Sequence, residues 1–113
     1  MTKAPPTASG FHAHVYFDAT TRDKAMALRE RIGKAFAVQV GRFHEKPVGP
    51  HPRWSYQLAF SPEQFGAIVT WLMLHRDGLT IFVHPETGDE IADHTRHALW
   101  MGEMLDLDLD ALR

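Results

Sequence analysis

Imidazole and carboxylate side chains occur in this sequence at positions from which several could act on one ion or one substrate. Eight residues are histidines, against twelve lysines and arginines together. Imidazole binds divalent metals and transfers protons near neutral pH, and carboxylate can do both as well. The groups that are placed to act together come from three separate segments: His12, His14, His44, Glu45, His51 and His84.

The segment GRFHEKPVGPHP, at 41–52, carries the densest set of such groups. Its two glycines and three prolines would be enough to shape a rigid turn. A turn has no backbone reason to carry His44, Glu45 and His51 as well. A single histidine is most often solvated or simply hydrogen-bonded, so the interpretation depends on what lies beside this loop in the fold.

Length and composition set the outer limits. A chain of 113 residues with 44% apolar residues is typical of one globular domain. We expect a flexible Pro- and Ala-rich leader at 1–10 and a single domain at 11–113. A net charge of −2 gives no reason to expect nucleic-acid binding, and no apolar run approaches the ~20 residues of a membrane span. The lack of cysteine excludes thiolate chemistry and suits a cytoplasmic protein.

Periodicity predicts the elements that must position the candidate residues. Alternation of apolar and polar residues, together with apolar runs, predicts strands at 11–17, 37–43, 54–60 and 79–84. Apolar residues at helical spacing predict one helix after the first strand and another before the last. The predicted order is therefore β-α-β-β-α-β.

Capping signals predict where the helices begin. Thr20 is the expected cap of the first helix, and the tetrapeptide SPEQ at 61–64 has the form of a capping box with proline at the first helical position. A third helix is predicted from Asp93 or Thr95 through Leu105.

The predicted fold class is α+β, a ferredoxin-like β-α-β-β-α-β sandwich whose four-stranded antiparallel sheet has both helices on one face. In that arrangement the strand order is 4-1-3-2, and we take strands one and three to be central and parallel. The other face of the sheet has no helix and few charges. We therefore expect a second copy of the chain to cover it in a homodimer.

This arrangement brings the candidate residues to one edge of the sheet. His12 and His14 point away from the helices because side chains alternate along a strand. The end of strand four, with His84, lies near the start of strand one, and the loop at 41–52 returns to the same end, close to Gln57. Histidines from three segments rarely converge by chance, so we predict a metal site. Its ligand types fit Fe(II), Zn or Mn without choosing among them.

Several stretches of the chain resemble the DOPA 4,5-dioxygenase family. They are HAHVYF at 12–17, GRFHEKPVGPHP at 41–52, WLMLHR at 71–76, HPETGD at 84–89 and DHTRHALWMG at 93–102. The resemblance implies a non-haem metal enzyme, with Fe(II) as the expected ion and Zn or another divalent ion possible in isolated protein. It implies extradiol ring cleavage of a catechol similar to L-DOPA, with O2 as the second substrate.

The resemblance also implies ligands. The protein should supply only about three, because other positions on the metal must stay open for the catechol and O2. We assign this role to His14, His84 and His51, with His12 or Glu45 as substitutes.

Other roles follow from the same resemblance. If Glu45 is a ligand, His51 becomes the acid or base, and His94 is a further candidate for proton transfer. The candidate substrate contacts are Trp54, Gln57, Arg42 and His44.

Two other functions stay open on the residues alone. One is a metal-dependent enzyme of another reaction class acting on a small acid. The other is a metal- or ligand-binding module without catalysis that dimerises through its sheet. Polar residues such as His12, His14 and Gln57 on the exposed face weaken the second alternative, because the core of a dimer interface is apolar.

Overall fold

The computed structural model describes residues 6–113, and residues 1–5 of the predicted leader lie outside this part. Its helices and strands follow in the order β1 Phe11–Phe17, α1 Arg22–Ala35, β2 Gln39–Val40, β3 Trp54–Phe60, α2 Phe65–His75, β4 Thr80–Pro85, α3 Glu90–Asp93 and β5 Leu99–Met101. The first six elements follow the predicted order. No helix within residues 6–113 has the length and apolar character needed to cross a membrane.

All five strands form one antiparallel sheet in the order β2-β3-β1-β4-β5. The four predicted strands keep the order 4-1-3-2, but the sheet has five strands and not four. Strands β1 and β3 are central, and they are antiparallel, with Phe11 opposite Phe60 and Phe17 opposite Trp54. The predicted parallel pairing of these strands is therefore wrong. The helix α1 makes β2 run in the direction of β1, and the connection into β3 then reverses the chain.

Strand β2 is much shorter than the strand predicted at 37–43. It ends before Gly41, whose N–H donates to the Gln57 carbonyl at 2.7 Å. A Cβ at Gly41 would lie 3.0 Å from that same carbonyl oxygen, so the close approach of the two chains favours glycine. Pairing resumes only at His44, which forms an isolated bridge with Ser55. The loop is thus anchored to β3 at one further point.

The apolar core lies between one face of the sheet and the two long helices. Ala13, Val15 and Phe17 of β1 belong to it, and full burial of side chains of Val or Phe size contributes about 1.5–3 kcal/mol each. Tyr56 is fully buried here, and its hydroxyl donates to the Ala25 carbonyl at 2.9 Å. The core residues that the helices supply include Ala25, Leu28, Ile32, Ile68 and Leu72.

The two predicted helix starts have different outcomes. The start at Ser61 is confirmed, since the Gln64 side chain accepts the Ser61 N–H at 3.1 Å and a short 3-10 turn leads into α2. The cap at Thr20 is wrong, because α1 follows Thr21 and neither side chain caps it. Asp18 holds this turn instead, accepting the N–H groups of Thr20 and Thr21 at 2.9 and 3.0 Å.

The predicted third helix through Leu105 is wrong. The helix α3 begins earlier, at the Asp89 cap, whose carboxylate accepts the Ala92 N–H at 3.0 Å, and it ends after a single turn. The chain then extends into β5, where Trp100 pairs with Phe82 of β4. A strand at the open edge of β4 satisfies backbone groups there that a helix would leave exposed.

The face of the sheet opposite the long helices is covered by the chain itself. The loop after β2 lays His51 against Tyr16 of β1, and Trp100 packs against β4. The C-terminal tail is joined to this loop, since the Asp108 N–H donates to the Pro50 carbonyl at 2.9 Å. The uncovered face on which we based the homodimer is therefore absent within residues 6–113.

The end of the predicted flexible leader is joined to the sheet. The Ser9 N–H donates to the Glu86 carbonyl, and the Glu86 N–H donates to the Gly10 carbonyl, both at 2.9 Å. Residues 9 and 10 therefore continue the pairing of β1 with β4 and belong with the domain.

A buried carboxylate fixes the turn between β4 and α3. Asp93 is 2% exposed and accepts the backbone N–H and the hydroxyl of Thr87 at 2.8 and 2.6 Å, and His97 Nδ1 lies 3.0 Å away. Burial alone would raise the pKa of Asp93, but the Thr87 and His97 donors outweigh it and hold that pKa below its ordinary value. This turn directly follows His84.

Replacing Asp93 by alanine should lower the free energy of unfolding by about 2–4 kcal/mol, because buried donors lose a charged acceptor. Urea denaturation followed by circular dichroism measures the change. Asp110→Ala is the matched control, since its carboxylate pairs with Arg113 on the surface and should matter by no more than ~0.5 kcal/mol. Equal stability of the two variants would contradict the role given to Asp93.

Candidate metal centre

Strands β1 and β4 bring three of the predicted residues together. His12 and His84 are direct partners across the two strands, and His14 lies two residues further along the same face of β1. One ring nitrogen from each of the three lies within 4.8 Å of the others. His14 and His84 are buried, whereas His12 is half-buried at the rim.

The spacing of the two buried rings fits a shared divalent ion. His14 Nε2 and His84 Nε2 lie 3.1 Å apart, and the two rings are nearly parallel, at 13°. Two imidazole nitrogens bound to one ion at ~2.1 Å each are separated by about 3.0 Å at a right angle and about 3.4 Å at the tetrahedral angle. The observed distance lies within this interval. The residues therefore fit a metal, with His12 completing a three-histidine set.

The protonated nitrogen of His84 is fixed by the backbone. Its Nδ1 lies 3.0 Å from the Pro85 carbonyl, which can only accept a hydrogen bond. Nδ1 therefore carries the hydrogen, and the Nε2 lone pair faces His14. Outer contacts of this kind orient the ring and leave the correct nitrogen available to a metal.

Glu86 supports the third ring and was not predicted. Its Oε1 lies 2.9 Å from His12 Nδ1 and 4.0 Å from His84 Nδ1. Burial lowers the pKa of His12, and the Glu86 charge opposes that effect. Its position in the sequence could have identified Glu86. It follows His84 by two residues, and residues two apart in an extended segment share a face.

The buried histidines are held in the neutral form. Burial lowers the pKa of His84 and of His51 to about 4, and that of His14 falls well below its ordinary value. Burial is the main cause in each case because a charged imidazole loses its hydration, and the neighbouring histidines act in the same direction. Neutral imidazole is the form that binds a metal, so at neutral pH the ligands need not lose a proton first.

His94 lies beside the centre, as predicted. Its ring centroid is 4.1 Å from that of His84. His94 Nδ1 lies 2.7 Å from the Glu90 carbonyl, so Nδ1 carries the hydrogen and Nε2 offers a lone pair. The one-turn helix α3 thus presents an imidazole with a single basic nitrogen next to the candidate metal ligands.

His51 is brought to the centre by the loop after β2. Its ring centroid lies 4.1 Å from that of His14, and its Nδ1 lies 2.6 Å from the Tyr16 hydroxyl. Tyr16 is 1% exposed and was not predicted as a site residue. Tyr16 lies on the same face of β1 as His12 and His14, the face opposite the long helices. It follows His14 at the same spacing of two residues, and that pattern could have identified it.

Two cavities open on the histidine cluster. One of about 240 Å³ is lined by residues that include His12, His14, His51, His84, Glu86 and His94. The other, of about 160 Å³, is lined in part by His14, His44, His51, Ser55 and Gln57. Of the predicted substrate contacts, His44 and Gln57 therefore lie at the centre. Small molecules could approach the ligands from both sides of the His14 and His51 rings.

Three predicted residues lie elsewhere. The Glu45 carboxylate accepts the Arg22 Nε–H at 2.6 Å, which directs it to the helix side of the loop. Trp54 packs its ring edge-on against Phe17 in the core. Arg42 is exposed and lines neither of the two cavities. Glu45 fails to reach the centre because the loop turns between it and His44, which faces the cavity.

The fold and this centre define a small α+β protein with a histidine-rich candidate metal site beside small cavities. The model of the Dopa 4,5-dioxygenase family matches residues 11–111. The chain therefore belongs to the Dopa 4,5-dioxygenase family, as the resemblance implied.

Individual relatives agree with this assignment. An uncharacterized 21.2 kDa protein of Botryotinia fuckeliana is 40% identical over 91% of this chain and 63% of its own length. The DOPA 4,5-dioxygenase of Amanita muscaria is 33% identical over 88% of this chain and 47% of its own length. The chain thus spans about half to just under two thirds of these fungal proteins.

A solved structure extends the agreement to the fold. A crystal structure of a proposed dioxygenase from Nostoc punctiforme superposes with a TM-score of 0.92 at 56% identity. The match covers 94% of this chain and 92% of the other. Together these comparisons support the family assignment and the fold.

His14→Ala and His84→Ala should each weaken metal binding by at least about tenfold while far-UV circular dichroism stays nearly unchanged, because each removes one imidazole from the set. Titration of metal-free protein with Zn²⁺, followed calorimetrically, measures this. His75→Ala is the control, since His75 lies at the end of α2 with its Nδ1 bonded to the Trp71 carbonyl. Wild-type affinity in both site variants would exclude a metal centre on these strands.

Proposed function

We propose that this protein is a non-haem, metal-dependent extradiol dioxygenase that opens the ring of a catechol with O2. The observation that carries the proposal is the set of ring nitrogens of His12, His14 and His84, within 4.8 Å of one another beside a cavity. Membership of the Dopa 4,5-dioxygenase family supports the reaction class. A catechol related to L-DOPA is the proposed substrate.

His12, His14 and His84 are the residues that would hold the metal, expected to be Fe(II), with Zn or another divalent ion possible in isolated protein. When bound, the ion would supply Lewis acidity and a template for both catechol oxygens. Three imidazoles from two adjacent strands leave the cavity side open to small molecules. His12, first given as a substitute ligand, takes the place first assigned to His51, and Glu45, the other substitute, is left out of the set.

His94 is the proposed base. Its Nδ1 hydrogen is engaged by the Glu90 carbonyl at 2.7 Å, so Nε2 is the nitrogen that can accept a catechol proton. The ring lies against that of His84, next to the place where the catechol would bind. His44 and Gln57 line the smaller cavity and can hydrogen-bond a polar part of the substrate.

The proposal keeps further expectations from the sequence. We interpret β1 to β4 with α1 and α2 as a ferredoxin-like unit to which α3 and β5 are added, on the basis of the strand order. Cytoplasmic location, small-molecule rather than nucleic-acid partners, and a homodimer belong to the same proposal. The histidine ligands come from one chain, so the dimer is not needed to complete the centre.

The homodimer is now argued from α2 and not from the sheet. Met73 and Leu74 are 60% and 76% exposed, and adjacent apolar side chains of this size support contact with a second copy. Sedimentation velocity at micromolar concentration should show a dimer, and replacing both residues by lysine should give monomers. A monomeric wild-type protein would exclude this assembly.

The function is tested by anaerobic loading with Fe(II), followed by a panel of catechols under isotopically labelled O2. We expect a ring-opened product that contains both atoms of O2, detected by mass spectrometry, and O2 uptake equal to product formed. A chelator added before the catechol should abolish both. Fe(II) bound without any catechol-dependent O2 uptake would exclude the proposed reaction.

His94→Gln should lower kcat by about 10²-fold with metal affinity retained, because a base typically contributes 10²–10⁴-fold. His97→Gln is its matched control, since His97 lies on the same turn but contacts Asp93. Equal turnover of the two variants would remove the role given to His94.

A further inference from the structure

The histidines of the site differ in the hydrogen-bond partner of their Nδ1 atoms. Nδ1 of His84 and Nδ1 of His94 face backbone carbonyls at 3.0 and 2.7 Å, and these oxygens can only accept. Both rings therefore carry their hydrogen on Nδ1. His51 is different, because its Nδ1 faces the Tyr16 hydroxyl, a group that can also donate.

The direction of the Tyr16–His51 hydrogen bond follows from the surroundings of the hydroxyl. Tyr16 is 1% exposed, and within residues 6–113 its oxygen has no hydrogen-bond partner except His51. If His51 donated, the buried hydroxyl hydrogen would have no acceptor. A buried donor without a partner is less favourable than an acceptor with one lone pair unused. Tyr16 therefore donates, and the short distance of 2.6 Å between the two atoms is consistent with a strong bond.

The other nitrogen of His51 faces open space. Among residues 6–113, the one buried side-chain nitrogen or oxygen without a partner is Arg29 Nε. The described residues supply no partner for His51 Nε2 either, so Nε2 is not sealed inside the protein. The ring lines both cavities, and Nε2 is the nitrogen available to a molecule held there.

We infer that Tyr16 is a positioning residue that holds His51 as a neutral hydrogen-bond donor, with its Nε2–H directed at an oxygen of a molecule in the cavity. In this form His51 offers no lone pair to a metal and cannot accept a proton at Nε2. This departs from the ligand and acid–base roles that the sequence suggested. The residue instead resembles the donor of an oxyanion hole, and that last step rests on the proposed function.

Such a donor suits the chemistry of a catechol. Its oxygens gain negative charge as they lose protons, and an N–H already held in position stabilises that charge without reorganising. A neutral donor also keeps its hydrogen, because deprotonating neutral imidazole is far less favourable than deprotonating imidazolium. The proton accepted by His94, beside His84, and the hydrogen bond given by His51, beside His14, are thus separate tasks.

The first test uses metal-free, full-length protein labelled with nitrogen-15 in histidine. Long-range proton–nitrogen correlation spectra distinguish a protonated from an unprotonated ring nitrogen, and the His51→Gln variant assigns the His51 signals. We expect hydrogen on Nε2 of His51, but on Nδ1 of His84 and His94. Hydrogen on Nδ1 of His51 in the wild type would overturn the inference. This result does not depend on any enzymatic activity.

The second test separates a donor from a ligand. His51→Gln should bind Zn²⁺ within about threefold of the wild type, whereas His84→Ala should lose at least about tenfold. A loss in His51→Gln equal to that in His84→Ala would return His51 to the ligand set.

The third test removes the Tyr16 hydroxyl. Tyr16→Phe should shift the hydrogen of His51 toward Nδ1 and, with Fe(II) and a catechol that the wild type opens, lower kcat by about 10–100-fold with Zn²⁺ affinity unchanged. Tyr56→Phe is the matched control, since it also removes a buried hydroxyl, but one that donates to Ala25 on the helix side. It should leave the His51 signals and kcat unaltered.

An unchanged His51 tautomer in Tyr16→Phe would overturn the positioning role. If the wild-type enzyme opens no catechol, the proposed function fails. The spectra and the Zn²⁺ titration still decide whether Tyr16 sets the state of His51.

Discussion

The alternation of side chains along β1 is the constraint on which the rest of the structure depends. β1 is the central strand of the sheet, and both of its faces are covered. Ala13, Val15 and Phe17 on one face join the core beneath the helices, and His12, His14 and Tyr16 on the other form one wall of the site. A slip of one residue would exchange the faces, placing imidazoles in the apolar core and apolar residues at the cavity. Burial of the apolar face in the core thus fixes His12, His14 and Tyr16 on the opposite face, at the site.

Covering the second face gives the histidines their properties. A solvated imidazole on an open sheet would titrate near its ordinary pKa, whereas burial lowers the pKa of His84 and His51 to about 4. The cover comes from the loop after β2, from α3 and β5, and from the tail tied to Pro50 by the Asp108 N–H. The segment from α3 to the C-terminus therefore adds only Met101 to the buried core cluster and contributes mainly to the cover over the site.

The sequence allowed the strands and the convergence of histidines to be predicted, because period-two alternation is local and each face follows from it. His12, His14 and His84 needed only this pattern and the strand order. The path of the chain after β4 could not be predicted, because Leu99–Met101 becomes a strand only through pairing with β4, and its own residues do not specify this. Glu45 was misplaced for a similar reason. Arg22, which binds its carboxylate, is distant in the sequence and close only in the fold.

The hydrogen-bond partners of each imidazole determine which of its nitrogens carries the hydrogen and which offers a lone pair. The residue type alone does not determine this. His14 and His84 meet Nε2 to Nε2 at 3.1 Å, and the Pro85 carbonyl obliges His84 to carry its hydrogen on Nδ1. His14 must then donate through Nε2, so one hydrogen joins the two rings in the metal-free protein. A divalent ion would take the place of that hydrogen, with His14 protonated on Nδ1 instead. The N–N distance of 3.1 Å is short enough for the hydrogen bond and also lies in the range expected for two ligands of one ion.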